Sequence, residues 1–179
     1  MSESIRSKYE QFGTREFYER HGDEYRNPHE PIVRRLLEVA VATWQLDLSA
    51  VLDLACGSGE VTLTLAALGA TRIDGIDPFT GDAYRTRTGR AAEAITFEAI
   101  AAGALARRRY SLIVCSFALH LIEASRLPQL LFELSRASDA LVVLTPHKRP
   151  IIPPEWGWRL DGEIVRDRVR ARCYRAAQS

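Results

Sequence analysis

The stretch from Val51 to Ala70, VLDLACGSGEVTLTLAALGA, sets an acid, Asp53, inside an apolar run and follows it with Gly57 and Gly59 before a second run of helical character. Glycines at such a turn let the backbone bend sharply and let a ligand approach where a Cβ would block it, while the following helix offers free N–H groups. Phosphate is the usual guest at such a place. The dinucleotide fingerprint is incomplete here, however, because Thr62 occupies the sixth position of G-x-G-x-x-G/A. Asp53 and Glu60 also put two carboxylates beside the turn, and these oppose a pyrophosphate. They suit a ligand carrying positive charge, such as an amino-acid ammonium or a sulfonium.

The elements that must position this turn follow from the hydrophobic pattern. Runs at 50–54, 72–76, 94–97, 111–116 and 140–145 read as strands, with helices starting near 59, 80, 101 and 126 between them. That alternation predicts a parallel sheet. Upstream, the pattern predicts a short helix, a turn at Gly22 and a longer helix entered between Asn27 and Pro31, where proline fits a first turn. Ile32, Val33, Leu36, Leu37, Ala40 and Val41 recur at helical spacing, so one face of that helix packs on a core. In the tail, Val165, Val169, Ala171 and Cys173 alternate with Arg166, Arg168, Arg170 and Arg172, which predicts a late antiparallel strand at or near the sheet edge with an arginine face.

VLDLACGSGEV resembles the first motif of the class I S-adenosylmethionine-dependent methyltransferases, and the resemblance covers about residues 15–175. It implies an α/β, three-layer Rossmann-like fold: a mostly parallel seven-stranded sheet with an antiparallel C-terminal strand and an N-terminal helical lid. One domain is implied, 1–179, with the lid at 1–48 and the core at 49–179. The implied cofactor is S-adenosyl-L-methionine and the product S-adenosyl-L-homocysteine. The acid and the glycine turn would hold the methionine part of the cofactor, which assigns Asp53, Ala55, Cys56, Gly57 and Gly59; Ala55 stands where the family usually has its first glycine. RIDGIDPF supplies Asp77, 24 residues after Asp53, to accept both ribose hydroxyl protons, with Pro78 beside it. Relatives often carry an aspartate near the adenine amino group where this chain has Ala99, so that contact passes to Glu98 or to the backbone around Ile100 and Ala101. In RRYSLIVCSFALHLIE, Ser111 replaces the usual aspartate at the strand start, the end away from the crevice. Ligands of open α/β sheets bind outside the carboxyl ends of the strands, which brings Cys115, Ser116, Phe117 and His120 near the reacting methyl. The segment before the first strand often folds over the cofactor in relatives, and its Tyr25 and Arg26 are candidates for the methionine carboxylate, which arginine pairs bidentately.

An acceptor pocket is expected where FYERHGDEYRNPH, CSFALH and TPHKRP converge, lined by some of Tyr18, His21, Ser116, His120, His147 and Lys148. His120 and His147 are the candidate proton acceptors, because imidazole titrates near neutrality. A dedicated base is optional, since alignment alone can supply much of the rate. Trp156 and Trp158 read as cover for the end of the sheet ahead of walls for an aromatic substrate.

Composition narrows the classes. No apolar run approaches the roughly 18 to 20 residues that cross a bilayer, the net charge is +1, and the three cysteines lack the paired spacing of a zinc site. The expectation is a cytoplasmic protein with reduced, buried cysteines and no metal, monomeric or homodimeric, acting on a small molecule. Positive charge concentrates late, with eight basic and four acidic side chains over 147–179. An RNA methyltransferase using the arginine strand and the HKR loop as a phosphate track is therefore one alternative. A non-catalytic methyltransferase-like partner subunit, suggested by Ala99, is the other.

Overall fold

Apolar runs without polar alternation form strands covered on both faces. The protein's structure, a computed structural model, describes residues 27–177 and shows this in β1 (Val51–Leu54) and β5 (Ala140–Thr145), where every residue is buried. Between them in sequence lie α2 (Glu60–Ala67), β2 (Ile73–Ile76), α3 (Gly81–Thr88), β3 (Ala92–Glu93), α4 (Phe97–Ala101), β4 (Leu112–Ser116) and α5 (Leu127–Ala137); α1 (Glu30–Trp44) precedes β1, and β6 (Trp158–Arg166) and β7 (Val169–Ala176) close the chain. The seven strands run in the order β3-β2-β1-β4-β5-β7-β6, all parallel except β7, which lies antiparallel to both its neighbours.

Two cores sandwich the sheet. On one face Val33, Leu36 and Leu37 of α1 join Val61 and Leu65 of α2 over Val51, Leu112 and Val142. On the other, Leu130, Leu131 and Leu134 of α5 join Ile100 of α4 over Leu52, Ile113 and Leu141. Residues 30–44, grouped with the lid in the sequence, thus form one layer of the sandwich, as the helical spacing of their apolar residues implied. Trp158 is fully buried on the second face, its indole N–H donating to the Leu131 carbonyl at 2.8 Å, while Trp156 is half-buried beside it. All three cysteines are free thiols and buried.

The structure corrects the sequence in three places. The third strand lies at 92–93, ahead of the expected 94–97, and the following helix at 97–101 ends where a helix start was expected, because Thr96 caps it by accepting the Ala99 N–H at 3.2 Å. The arginine-rich tail is a hairpin and not one strand: Asp167 and Arg168, at φ 47° and 67°, form a two-residue turn whose twist matches the flanking strands. Its second strand, β7, is inserted between β5 and β6, so β6 takes the edge. The arginine face is accordingly broken up. Arg172 is only 4% exposed; it donates to the Glu163 carboxylate at 2.6 Å and to the carbonyls of Lys148 and Pro150, tying the loop after β5 to the sheet.

Candidate functional site

The strand order reverses at β1, which connects outward to β2 on one side and is flanked by β4 on the other. At the carboxyl ends of these strands a cleft of about 850 Å³ opens, the place where open α/β sheets bind ligands. Asp53, Ala55, Cys56 and Gly57 line it from β1 and the turn, Asp77 and Pro78 from the end of β2, and Ser116 from the end of β4.

Asp53 is 1% exposed. Its Oδ2 accepts from both the Thr62 N–H, at 3.1 Å, and the Thr62 hydroxyl, at 2.7 Å, while Oδ1 is buried with no partner among the described residues. Burial pushes its carboxyl well above the ordinary range; the Thr62 hydroxyl opposes this, and the Glu60 and Asp77 carboxylates add to it. The site thus withholds compensation from a buried acid, an arrangement completed by a ligand that brings positive charge. Tyr84 of α3, fully buried, places its hydroxyl 2.9 Å from that of Thr62. Its ring lies where a Cβ at Gly75 would approach within 2.6 Å, and Gly59, at φ 90°, is closed in by Tyr84 and Thr88. Gly59 therefore serves packing and backbone conformation, and the cleft does not reach it.

Asp77 folds its carboxylate around the same turn. Oδ1 accepts from the N–H groups of Phe79 and Thr80, and Oδ2 from that of Gly57 at 3.2 Å, so the acid couples the end of β2 to the glycine turn. Glu60, the first residue of α2, accepts from the Ser58 hydroxyl at 3.1 Å, and burial raises its carboxyl. Arg87 bridges it, at 3.9 Å, to Glu30 at the start of α1, at 2.8 Å. This holds the N-terminus of α1 against the turn.

Ala55 carries a cost. Its φ of 57° lies in the left-handed region, which penalises a non-glycine residue by about 1–2 kcal/mol. Glycine would remove that strain and return roughly half through the greater freedom of the unfolded chain. Ala55→Gly is expected to raise the melting temperature of the free protein by about 1–3 °C in scanning calorimetry. A lower melting temperature in that variant would mean that the methyl packs favourably enough to outweigh the strain.

At the α4 end of the cleft, Glu98 lines the wall, and its carboxylate is paired with Arg126 at 2.6 Å across from the start of α5. Ile100 is fully buried in the core and is not part of the wall. Ile95, Phe97, Ala101 and Leu130 make this end apolar.

At the other end, Ser116 Oγ is buried without a partner among the described residues, and Phe117, at φ 55°, stacks on His29 with ring centroids 4.8 Å apart. His120 and His147, 27 residues apart, meet with ring centroids at 4.4 Å. They stand outside the cleft wall, although Phe117, Ala118 and Leu121 around His120 belong to it. Burial, and then His147, pushes the His120 imidazole down to about 4, and its Nδ1 has no partner among the described residues. The fold thus favours neutral imidazole, a contribution to stability that is present above pH 6.5 and lost as pH falls toward 4. Lys148 is exposed on the loop held by Arg172. Tyr18, His21, Tyr25 and Arg26 lie outside the described residues.

Sequence reasoning missed Tyr84 and Arg126, and it treated Thr62 only as a departure from the dinucleotide fingerprint. A threonine where that fingerprint wants a small residue, nine positions after an acid, was the available signal.

The sheet order and the glycine turn at its reversal, closed by acids from two adjacent strands, define an α/β protein of the Rossmann-like methyltransferase type. The family model described as "Methyltransferase domain" matches residues 51–139, from β1 past the end of α5. The uncharacterized protein C17A5.05c of Schizosaccharomyces pombe is 32% identical over 228 aligned residues, covering 97% of this chain and 92% of that protein. In fold, the chain is similar to magnesium protoporphyrin IX methyltransferase from Synechocystis PCC 6803, crystallised with bound S-adenosylmethionine (TM-score 0.61, 16% identity, 100% of each chain). It is also similar to a TehB-like methyltransferase from Corynebacterium glutamicum (TM-score 0.62, 14% identity, 96% of this chain and 100% of that one) and to a candidate RNA methyltransferase from Pyrococcus horikoshii (0.61, 16%, 92% and 89%). Over residues 51–139 the chain matches the methyltransferase-domain family, and its fold is that of the S-adenosylmethionine-dependent methyltransferases it resembles. Among the described residues no helix is long and apolar enough to cross a membrane, and no cluster of three or more metal-ligating side chains occurs.

Proposed function

We propose that the protein transfers the methyl group of S-adenosylmethionine to a small-molecule acceptor that enters over Ser116 and Phe117. The observation that carries this reading is a single cleft of about 850 Å³ that joins the acid-closed turn at one end to the unpartnered Ser116 hydroxyl at the other. Its volume suits one cofactor together with a small acceptor. The residues present fit the cofactor: Asp53 offers a free carboxylate oxygen to an ammonium, Asp77 stands ready for ribose hydroxyls, and Ile95, Phe97 and Leu130 offer apolar surface to a base. When bound, S-adenosylmethionine supplies a sulfonium whose methyl is open to in-line displacement. The protein's part is alignment. Asp53 and Asp77 anchor one side, Ser116 can hydrogen-bond the acceptor, and the strained Phe117 backbone presents a ring stacked on His29 as the wall between them. His120 and His147 border the acceptor side, and His120 is held neutral near pH 7, in the form that can take a proton.

The broken arginine face favours a small acceptor over RNA. Arg170 and Arg172 both face Glu163, leaving Arg166 and Arg168 exposed at the hairpin. Within the arginine strand only these two remain for a phosphate track, beside the exposed Lys148 and Arg149 of the loop after β5.

Protein incubated with isotopically labelled S-adenosylmethionine and a metabolite extract should produce a labelled small molecule detectable by mass spectrometry. Label appearing only in added RNA, with binding that falls steeply with salt, would replace this reading. Once the acceptor is known, His120→Ala and His147→Ala should each lower turnover by more than about tenfold, with S-adenosylhomocysteine affinity nearly unchanged in calorimetry. Full turnover in both variants would remove the pair from the acceptor site.

A further inference from the structure

Thr62 carries one hydroxyl proton, and Asp53 Oδ2, 2.7 Å away, can only accept it when the acid is ionised, the form that holds a cation. The Thr62 oxygen is then the acceptor for Tyr84, whose hydroxyl stands 2.9 Å away. The direction of the chain is therefore determined: Tyr84 donates to Thr62, and Thr62 donates to Asp53, with the Thr62 N–H supplying a second donor to the same oxygen. All three side chains are buried. Both donors converge on Oδ2, and among the described residues Oδ1 of this cleft-lining acid has none.

We infer that Thr62 and Tyr84 are positioning residues for the cofactor's ammonium group: their chain of hydroxyls clamps one oxygen of Asp53 and leaves the other as the sole free acceptor for the cation. The inference rests on the cofactor reading above. A carboxylate free to rotate would share its donors between both oxygens and present no fixed acceptor, whereas hydrogen bonds in series polarise and strengthen one another. Tyr84 is in turn seated by Gly75, since a Cβ there would come within 2.6 Å of its ring, while a Cβ at Gly59 would strike the methyl of Thr88 beside it. Among the described residues, the charged groups that bear on Asp53 are Glu60 on α2 and Asp77 after β2, both acidic; the neutral titratable groups around it are Cys56, Cys115 and Tyr84. Neither acid can supply the missing positive partner.

The experiment is calorimetric titration of the whole protein with S-adenosylhomocysteine across pH 5–9, for the native chain and for Thr62→Ser, Thr62→Val and Tyr84→Phe. The cation is held by ionised Asp53, so affinity should decline as pH falls through the range in which that acid protonates. Removing a donor raises the acid's affinity for its proton. Thr62→Val should therefore bind about 10- to 100-fold more weakly at neutral pH and move the decline upward by roughly one pH unit. Thr62→Ser, which keeps the hydroxyl, should restore both, and Tyr84→Phe should give a smaller shift of the same sign. If Thr62→Val does not fold, the Tyr84→Phe profile decides the matter. An unmoved profile in every variant that folds overturns the positioning role, because lost packing alone would weaken binding equally at each pH. Failure of the native protein to bind S-adenosylhomocysteine would overturn the cofactor reading itself.

Discussion

Asp53→Asn is expected to make the free protein more stable and a much poorer binder of its cofactor. The two effects share one cause. The carboxylate lies buried with one oxygen unpartnered and with two other acids acting on it, so burial holds its carboxyl well above the ordinary value. An acid raised in the folded state stabilises the fold while protonated, and that contribution is lost as pH rises from its unfolded value through its folded one. Asparagine keeps the shape and removes the charge: its oxygen can accept from Thr62 while its NH₂ takes the place of the unpartnered Oδ1. The free variant should therefore melt higher than the native protein at pH 8, with the difference shrinking toward pH 4. Binding should move the other way, because an amide cannot neutralise an ammonium. The lost charge-assisted hydrogen bond corresponds to about 1.5–3 kcal/mol, or roughly 10- to 100-fold in S-adenosylhomocysteine affinity. Melting curves and calorimetric titrations at two pH values test both signs together. A variant that is less stable and binds normally would show that Asp53 is a structural acid.

The second large effect is expected at Asp77. In Asp77→Ala the thermal stabilisation by S-adenosylhomocysteine should disappear, whereas the native protein should gain about 2.7 kcal/mol at a ligand concentration 100 times its Kd. Two losses combine. The ribose hydroxyls lose their acceptor, and the N–H groups of Gly57, Phe79 and Thr80 lose theirs, which loosens the turn that the rest of the cofactor would meet. The second loss should also lower the stability of the free variant, by about 1–3 kcal/mol. Asp77→Asn separates them: one oxygen remains for the Phe79 and Thr80 donors, so the free protein should recover most of its stability while ligand stabilisation stays small. A native-size melting shift in Asp77→Ala would place the ribose elsewhere in the cleft.

Much of this was legible in the sequence because it depends on local pattern. Apolar runs such as VLDL and ALVVLT have no polar alternation, and only a strand covered on both faces accommodates that, so the parallel sheet follows from residues near one another in the chain. The glycine turn and the acids at 53 and 77 are equally local, and the rule that crevices open at the carboxyl ends of strands carried them to one place. The short third strand failed for the same reason: two residues are too few to show a period, and the cap at Thr96 decided the boundary.

What only the tertiary structure decided are pairings between residues whose neighbours along the chain do not advertise them. Glu98 reads as a free carboxylate in the sequence, whereas the fold sets Arg126, 28 residues later, against it at 2.6 Å. The arginines at 166–172 read as one charged face until a two-residue turn splits them and burial draws Arg172 inward to Glu163 and the loop carbonyls. His120 and His147 were each visible as titratable, but their contact exists only because β4 and β5 are adjacent and release their loops at the same end. Thr62 is the clearest case. Alone it is a broken fingerprint, yet between Asp53 and Tyr84 its hydroxyl has one direction open to it. Local periodicity reports which face of an element is buried; the partner of a buried polar group is set by chain packing across the sheet, where leaving it unpaired would cost more than any local preference.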